Sequence, residues 1–235
     1  MKTTTKPFNL VKNREYYKRN LPHIQPIGDI FFVTARLVNS IPNSVIAELQ
    51  SWKESQYQAI IARKGDSRKI QKENWQRLQK LYFKRFDTWL DRAGTKDDLL
   101  ARADVAAIVK EKFHAYDGKF YDLIAYTIMP NHFHLLVDFS IQLENGDEYV
   151  QLEWAMKHIK GGSAYAANKL LGRSGKFWQR ESFDRVVRDN QEFRNIVRYI
   201  LLNPVKAGFA QSWKEWDPSY LKERYVEIMA PSVED

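Results

Sequence analysis

The spacing of apolar positions divides the chain into segments of two periods. Gly28 to Leu37 (GDIFFVTARL) is rich in β-branched and aromatic residues and is punctuated at its start by Pro26 and Gly28, which predicts a strand. Phe120 to Ile128 predicts a second strand. The break Met129-Pro130-Asn131 leads into a third, His132 to Phe139, whose alternate residues point to opposite faces. Ser182 to Arg188 predicts a short last one. Helical spacing fills the intervals. Between Pro42 and Gly94 lie two charged stretches broken at Gly65, the second repeating Trp75, Leu78, Tyr82, Phe86 and Trp89. Val105, Ile108, Val109 and Phe113 share one face of a shorter helix that Asp117-Gly118 ends. A further helix runs from about Gln151 to Leu171, interrupted in its pattern by Gly161-Gly162. Asp189 opens a final helix that runs to Asn203.

With the helical hairpin set aside, the order is β-α-β-β-α-β-α. That is the plan of an α+β, ferredoxin-like antiparallel sheet with helices on one side. The expectation is a single domain over residues 1–235, with a helical insertion at about 42–98 and a C-terminal extension at about 209–235. The extension is aromatic and mixed in charge, and no catalytic part is assigned to it.

Charge narrows the partners. Lysine and arginine outnumber the acids 37 to 29, a formal +8, which favours a polyanionic partner, nucleic acid above all. The chain has no cysteine, so any metal must be held by histidine, carboxylate, amide or water. Met1 to Leu10 is polar and lacks an apolar signal core, and no window reaches the roughly 20 apolar residues of a membrane span. A cytoplasmic, nucleoid-associated protein with no membrane contact is expected.

The candidate chemistry lies in two segments. His132 and His134 flank Phe133 within a strand, so their imidazoles project from one face about 7 Å apart along the backbone and can converge on one ion. Two histidines meeting by chance is the bland alternative. In the final helix, Asp189 and Glu192 form an N-cap with a first-turn acid, and Phe193, Ile196, Val197, Ile200 and Leu201 make an apolar stripe. At about 100° per residue, Tyr199 and Asn203 lie one turn apart beside that stripe, able to point at a shared site. Pro204 disfavours helical geometry at the residue before it, which places Asn203 at the helix end.

A phenol with an ordinary pKa of about 10 is a poor nucleophile unless its surroundings help. A metal held by two imidazoles and an amide oxygen keeps coordination positions open for a phosphate aligned with that phenol. Attack by Tyr199 stores the broken bond as a phosphotyrosine, so cutting and joining become one reversible reaction.

Three segments carry a family resemblance: MPNHFHLLV (Met129 to Val137), KGGSAYAANKLLGRSGKFWQRESFDRVVRD (Lys160 to Asp189) and VRYILLNPVKAG (Val197 to Gly208). With NLPHIQPIGDIFFVTARL (Asn20 to Leu37), they resemble the REP-associated tyrosine transposases, a branch of the HUH single-strand nucleases with one tyrosine. The resemblance implies a ferredoxin-like fold and a need for Mg²⁺ or Mn²⁺. It gives His132, His134 and Asn203 the ligand roles and Tyr199 that of nucleophile. Its implied substrate is a short palindromic repeat folded into a single-stranded hairpin. No small-molecule cofactor is implied, and either a monomer or a homodimer is compatible. From ligand chemistry alone, imidazoles argue as readily for Mn²⁺ as for Mg²⁺.

Basic and aromatic residues supply candidate DNA contacts: Arg14, Lys18 and Arg19 near the start, Arg36 at the end of the first strand, then Lys160, Lys176, Trp178, Arg180, Arg185 and Arg188. Cations neutralise phosphates and exposed rings stack on unpaired bases. The alternative places Phe177 and Trp178 in the core and leaves the charges on a solvated face. Two rival functions accompany the nuclease: a nucleic-acid-binding regulator that does not cut, and a phosphodiesterase whose nucleophile is water.

Overall fold

The computed structural model describes residues 14–18, 22–26, 28–63, 67–92, 98–145 and 149–230. By compactness the chain forms two units, one of Met1–Arg36 with Leu99–Asp235 and one of Leu37–Asp98.

The first unit is built on a five-stranded antiparallel sheet. A two-stranded ribbon precedes it, β1 (Arg14–Lys18) against β2 (Pro22–Pro26). The sheet holds β3 (Ile30–Arg36), β4 (Asp122–Ile128), β5 (His132–Asp138), β6 (Phe183–Val186) and β7 (Ser219–Leu221), in the order β6-β3-β5-β4-β7. Its first four members follow the ferredoxin-like arrangement expected from the element order. The fifth, β7, comes from the C-terminal extension and pairs with the outer edge of β4. That edge would otherwise offer unpaired backbone groups, and covering it is the structural use of the extension.

Helices α3 (Ala103–His114), α4 (Gln142–Asn145), α5 (Leu152–Leu170) and α6 (Asn190–Lys206) belong to the same unit. Helix α3 packs on one face: the Phe113 ring lies 4.9 Å from Phe133 and 5.0 Å from Tyr126. Its partner there is α5. Expectation placed every helix on that side, but α6 covers the opposite face. Its Tyr199 ring packs edge-on against Phe32 and His134, whose strand positions alternate with those of Phe133 and Val33. The reason lies in the sequence of α6. Ile196, Val197, Ile200 and Leu201 are fully buried, a stripe wide enough to close a second sheet face.

Other boundaries differ by physics that is local. Helix α5 runs unbroken through Gly161 and Gly162. A Cβ on Gly162 would make only ordinary contact, 3.4 Å, with the flexible Lys112 side chain, and one on Gly161 would meet nothing within 4 Å, so neither glycine marks a kink or a close approach. Helix α6 continues past Asn203 and Pro204 to Lys206. In the last turn the proline removes only one ladder bond, and Ala207 N to Asn203 O (3.0 Å) and Phe209 N to Pro204 O (2.9 Å) close the end around Gly208 at φ +77°.

The start of α6 is fixed by a reciprocal cap. The Asp189 carboxylate accepts from Glu192 N at 2.7 Å, and the Glu192 carboxylate accepts from Arg188 N at 3.1 Å.

The second unit is a helical hairpin of α1 (Asn43–Ile61) and α2 (Arg68–Asp91), packed on one another with the Tyr57 and Trp75 rings 5.0 Å apart. Lys53 points inward, its ammonium 4.7 Å from the Tyr82 ring and 5.6 Å from Trp75; burial pulls its pKa down to about 8. No helix among the described residues is long and apolar enough to cross a membrane.

The cap predicts a stability effect separable from chemistry. Asp189→Ala is expected to lower unfolding stability by about 1 kcal/mol, measured by urea denaturation. An unchanged midpoint would show that α6 is anchored by its apolar stripe alone.

Candidate functional site

The site grows from strand register. Antiparallel pairing sets Thr34 and Thr127 opposite His134, and Arg36 opposite His132, so these side chains share one face of the sheet. The turn Met129-Pro130-Asn131 delivers β5 into this register, closed by Met129 N donating to His132 O at 2.8 Å. Both histidines are completely buried.

Each imidazole is gripped from behind. His132 Nδ1 lies 2.7 Å from Asn131 Oδ1, and His134 Nδ1 lies 2.7 Å from Thr34 Oγ1. Their Nε2 atoms meet 3.2 Å apart. Above them, Tyr199 Oη and Asn203 Nδ2 each stand 3.3 Å from His134 Nε2, and the asparagine amide donates to the phenol oxygen at 3.4 Å. Phe32 braces the group, stacked on His134 at 5.6 Å and edge-on to Tyr199 at 5.9 Å.

Proton positions follow from these contacts. Asn131 presents an oxygen, so His132 carries its hydrogen on Nδ1 and leaves a lone pair on Nε2. The 3.2 Å contact then requires a hydrogen on His134 Nε2, and His134 Nδ1 accepts from the Thr34 hydroxyl. Asn203 now faces a nitrogen that bears hydrogen with its own NH₂, while its buried Oδ1 has no hydrogen-bond partner among the described residues. Half a turn of the amide, which exchanges nitrogen and oxygen without changing its shape, sets its oxygen against the hydrogen on His134 Nε2 and leaves the NH₂ in the position without a partner. The amide oxygen then joins the two Nε2 atoms.

This donor set suits a divalent cation. Two nitrogens about 2.1 Å from one ion and at right angles to each other are about 3 Å apart, close to the observed spacing. The paired histidines belong to a buried group able to hold a metal ion. Should the His134 hydrogen move to Nδ1, the Thr34 hydroxyl accepts it, because a hydroxyl plays either part. Both Nε2 lone pairs then face the same space.

The remaining expected contacts separate into groups. Arg185, on β6, lies over Phe32 with its guanidinium 5.5 Å from the ring centroid, and pairs with Glu192 at 3.2 Å. Burial lowers its pKa, against the opposing pull of Glu192. Arg188 is exposed and stands 3.7 Å from the same carboxylate. Arg36 is buried beside the histidine face. Lys176 and Arg180 are exposed. Lys160 and Trp178 do other work. The Lys160 ammonium donates to Gln179 O (2.7 Å), Arg180 O (2.9 Å) and Ser182 Oγ (3.0 Å), tying α5 to the segment before β6. All three of its hydrogens are engaged, which corrects its expected place on a phosphate. Trp178 is buried against Phe133 and Phe177 and donates its indole hydrogen to Ser163 Oγ at 2.9 Å, so it is core and not a stacking platform. Arg14 and Lys18 lie on β1, and Arg19 lies outside the described residues.

Sequence reasoning missed Thr34 and Asn131. Asn131 adjoins His132 and was legible only as part of a turn. Thr34 stands 100 residues from His134, and only the register brings them together.

A ferredoxin-like sheet bearing an H-x-H pair, with a tyrosine and an asparagine one helical turn apart above it, is the arrangement that the resemblance to the HUH enzymes with one tyrosine implied. No family model matches the chain. Over 102 residues it is 28% identical to a Haemophilus influenzae protein whose name assigns it provisionally to the REP-associated tyrosine transposases, covering 41% of this chain and 56% of that one. Over 96 residues it is 25% identical to the REP-associated tyrosine transposase of Escherichia coli K12, covering 41% and 52%. The chain thus spans about half the length of these curated relatives. A solved REP-associated tyrosine transposase bound to a REP hairpin superimposes with a TM-score of 0.48 at 17% identity, covering 93% of each chain. The chain is similar to these REP-associated tyrosine transposases over 41% of its own length.

Burial gives the pair a signature in pH. It holds His132 neutral down to about 3, and it depresses His134 well below the usual imidazole range, with His132 adding to the effect. The unfolded chain therefore binds more protons once pH drops below the free imidazole value. Stability is complete above about pH 6.5 and falls toward acid, by up to about 1.4 kcal/mol per pH unit for each imidazole. Urea denaturation of metal-free protein is expected to show this slope, and His132→Gln with His134→Gln to flatten it. Equal slopes would mean that the histidines take up protons in the folded state.

Proposed function

We propose that the chain is a metal-dependent single-strand DNA endonuclease and strand transferase that acts on hairpin-forming, REP-like palindromes through a covalent phosphotyrosine on Tyr199. One observation carries the reading: the Tyr199 phenol oxygen lies 3.3 Å from an imidazole nitrogen that is itself 3.2 Å from its partner, with the Asn203 amide beside both. A nucleophile and a ligand set within one hydrogen-bond radius is more than a binding surface needs.

His132, His134 and Asn203 would hold Mg²⁺ or Mn²⁺. Such a cation supplies Lewis-acid binding of the non-bridging phosphate oxygens. The chain's own residues do the rest. Phe32 and the register of α6 hold the Tyr199 ring on edge, which limits the path of its oxygen toward phosphorus. Attack forms the bond from Oη to phosphorus and releases the adjoining strand with a free hydroxyl. Because the ester keeps the energy of the broken linkage, a second hydroxyl can take the strand back without ATP. Arg185, half-buried beside Phe32, is the candidate on β6 for the charge of the strand, and Arg188, Arg180 and Lys176 offer exposed contacts for its phosphates.

The test is a side-by-side cleavage assay on single-stranded hairpin DNA with Mn²⁺. Wild-type protein is expected to yield an adduct that survives denaturing gels. Tyr199→Phe is expected to lose adduct and cleavage, a fall of at least about 10⁴-fold, while binding the hairpin within about threefold of wild type. Cleavage that survives the substitution would assign the nucleophile to water. Binding without cleavage by either protein would leave a regulator.

Thr34 and Asn131 yield a second test. Thr34→Val and Asn131→Ala are each expected to weaken Mn²⁺ binding about 10- to 100-fold by calorimetry, as loss of groups that orient metal ligands does. Unchanged affinity would remove both from the site.

A further inference from the structure

Helix α2 carries a feature that the cleavage site does not use. It holds seven lysines and arginines against three acids. At about 100° per residue, Lys69, Arg77, Lys80 and Lys84 fall within an arc of about 80°, and all four are exposed. Between Lys69 and Lys84, Glu73 is the one acid within that arc; Asp87 and Asp91 fall at the same angles beyond Lys84. None of the four cationic groups has a hydrogen bond or ion pair among the described residues. Arg85, by contrast, is drawn off the stripe, its guanidinium 4.1 Å from the Trp52 ring.

We propose that this stripe binds the phosphate backbone of a base-paired nucleic-acid stem. The inference rests on the reading of hairpin DNA as partner. Four unpaired cations on one rigid face have a cost in mutual repulsion that a polyanion relieves. From Lys69 to Lys84 the face is about 22 Å long, at 1.5 Å per residue. Over that length a duplex presents a phosphate charge about every 1.7 Å of axis, so several fall within reach of flexible lysine stems.

The residue types choose between paired and unpaired strands. Single-strand surfaces interleave cations with exposed rings on which bases stack. Here Tyr82 and Phe83 are buried, and Trp75, Phe86 and Trp89 are only partly exposed and lie off the arc. Lysine ammoniums without rings or amides between them read phosphate, not base, so the contact is independent of sequence and sensitive to salt.

The experiment compares wild type with K69A/R77A/K80A/K84A in metal-free buffer, by fluorescence anisotropy across a salt series. One probe is a stem-loop DNA, another an unpaired oligonucleotide of equal length, and a third vesicles of phosphatidylserine. Alanine favours helix, so α2 is expected to persist. K69R/K80R/K84R, which keeps the charge, controls for any loss of packing.

Neutralising the stripe should reduce the slope of log K against log salt for the stem-loop by about two to four, at about 0.9 per phosphate. Affinity for the stem-loop should fall about 10- to 100-fold at low salt, and the unpaired strand should change by less than about twofold. The arginine variant should match wild type. An unchanged slope, equal losses on both DNAs, a loss shared by the arginine variant, or vesicle binding that depends on the stripe overturns the proposal. Adduct formation by the same wild-type preparation reports on Tyr199 separately. A preparation that forms adduct while its slope ignores the stripe overturns this inference alone; one that binds through the stripe without forming adduct overturns the nuclease reading alone.

Discussion

Two neutral imidazoles, fully buried and touching through their Nε2 atoms, set the terms for the rest of the first unit. A charged imidazolium there would lack solvent and face a second ring at 3.2 Å, so burial keeps both deprotonated. A neutral imidazole has one donor and one acceptor, and each must be satisfied in a site from which water is excluded. Asn131 and Thr34 answer at the Nδ1 atoms, which leaves the Nε2 atoms as the only directions in which the pair can act. The sheet supplies the rigidity. Thr34 is held on β3 by pairing on both sides, with β5 and with β6, so its hydroxyl cannot drift from His134.

The division of labour between the two faces of the sheet follows from the alternation within HFH. Phe133 goes down into an aromatic core with Phe113 and Trp178, and the histidines on either side go up. A slip of one residue would place both imidazoles in that core and the phenylalanine in the site. The hydrophobic contacts under the sheet therefore specify the polar geometry above it. Helix α6 answers from the other direction. Its buried stripe fixes its rotation, and that rotation leaves Tyr199 half-exposed and Asn203 buried, one turn apart over the same nitrogen.

Much of this was legible in the chain. The ferredoxin-like order, the H-x-H pair, the Asp189 cap and the shared flank of Tyr199 and Asn203 all come from local periodicity, and local periodicity survives folding. What sequence could not yield depends on register or on topology. Thr34 meets His134 only because β3 and β5 pair at that register. β7 is three residues long, too short to announce itself against a polar background. The sidedness of α6 was hidden because an apolar stripe says that a helix is buried without saying against which face. Lys160 and Trp178 look like a cation and a ring beside a glycine-rich loop; three acceptors and a core serine gave them structural posts that composition does not encode.

On the proposed function, the two units meet different physical demands. Transfer of a strand through an ester on tyrosine needs a few atoms held to within fractions of an ångström, and a dry, hydrogen-bonded sheet face can do that. Holding the rest of a nucleic acid needs reach and charge, with tolerance for sequence, and that suits an exposed helix whose lysines keep their rotamer freedom. Placing both demands on one surface would set them against each other. Cations crowded beside the imidazoles would repel a divalent ion, and in a buried site with low effective dielectric that repulsion is several-fold stronger than in water. On the first unit Arg185 is tied to a carboxylate, Glu192, and Arg36 is buried opposite His132, whereas the exposed cations Lys69, Arg77, Lys80 and Lys84 belong to α2 of the second unit and are left to answer a polyanion.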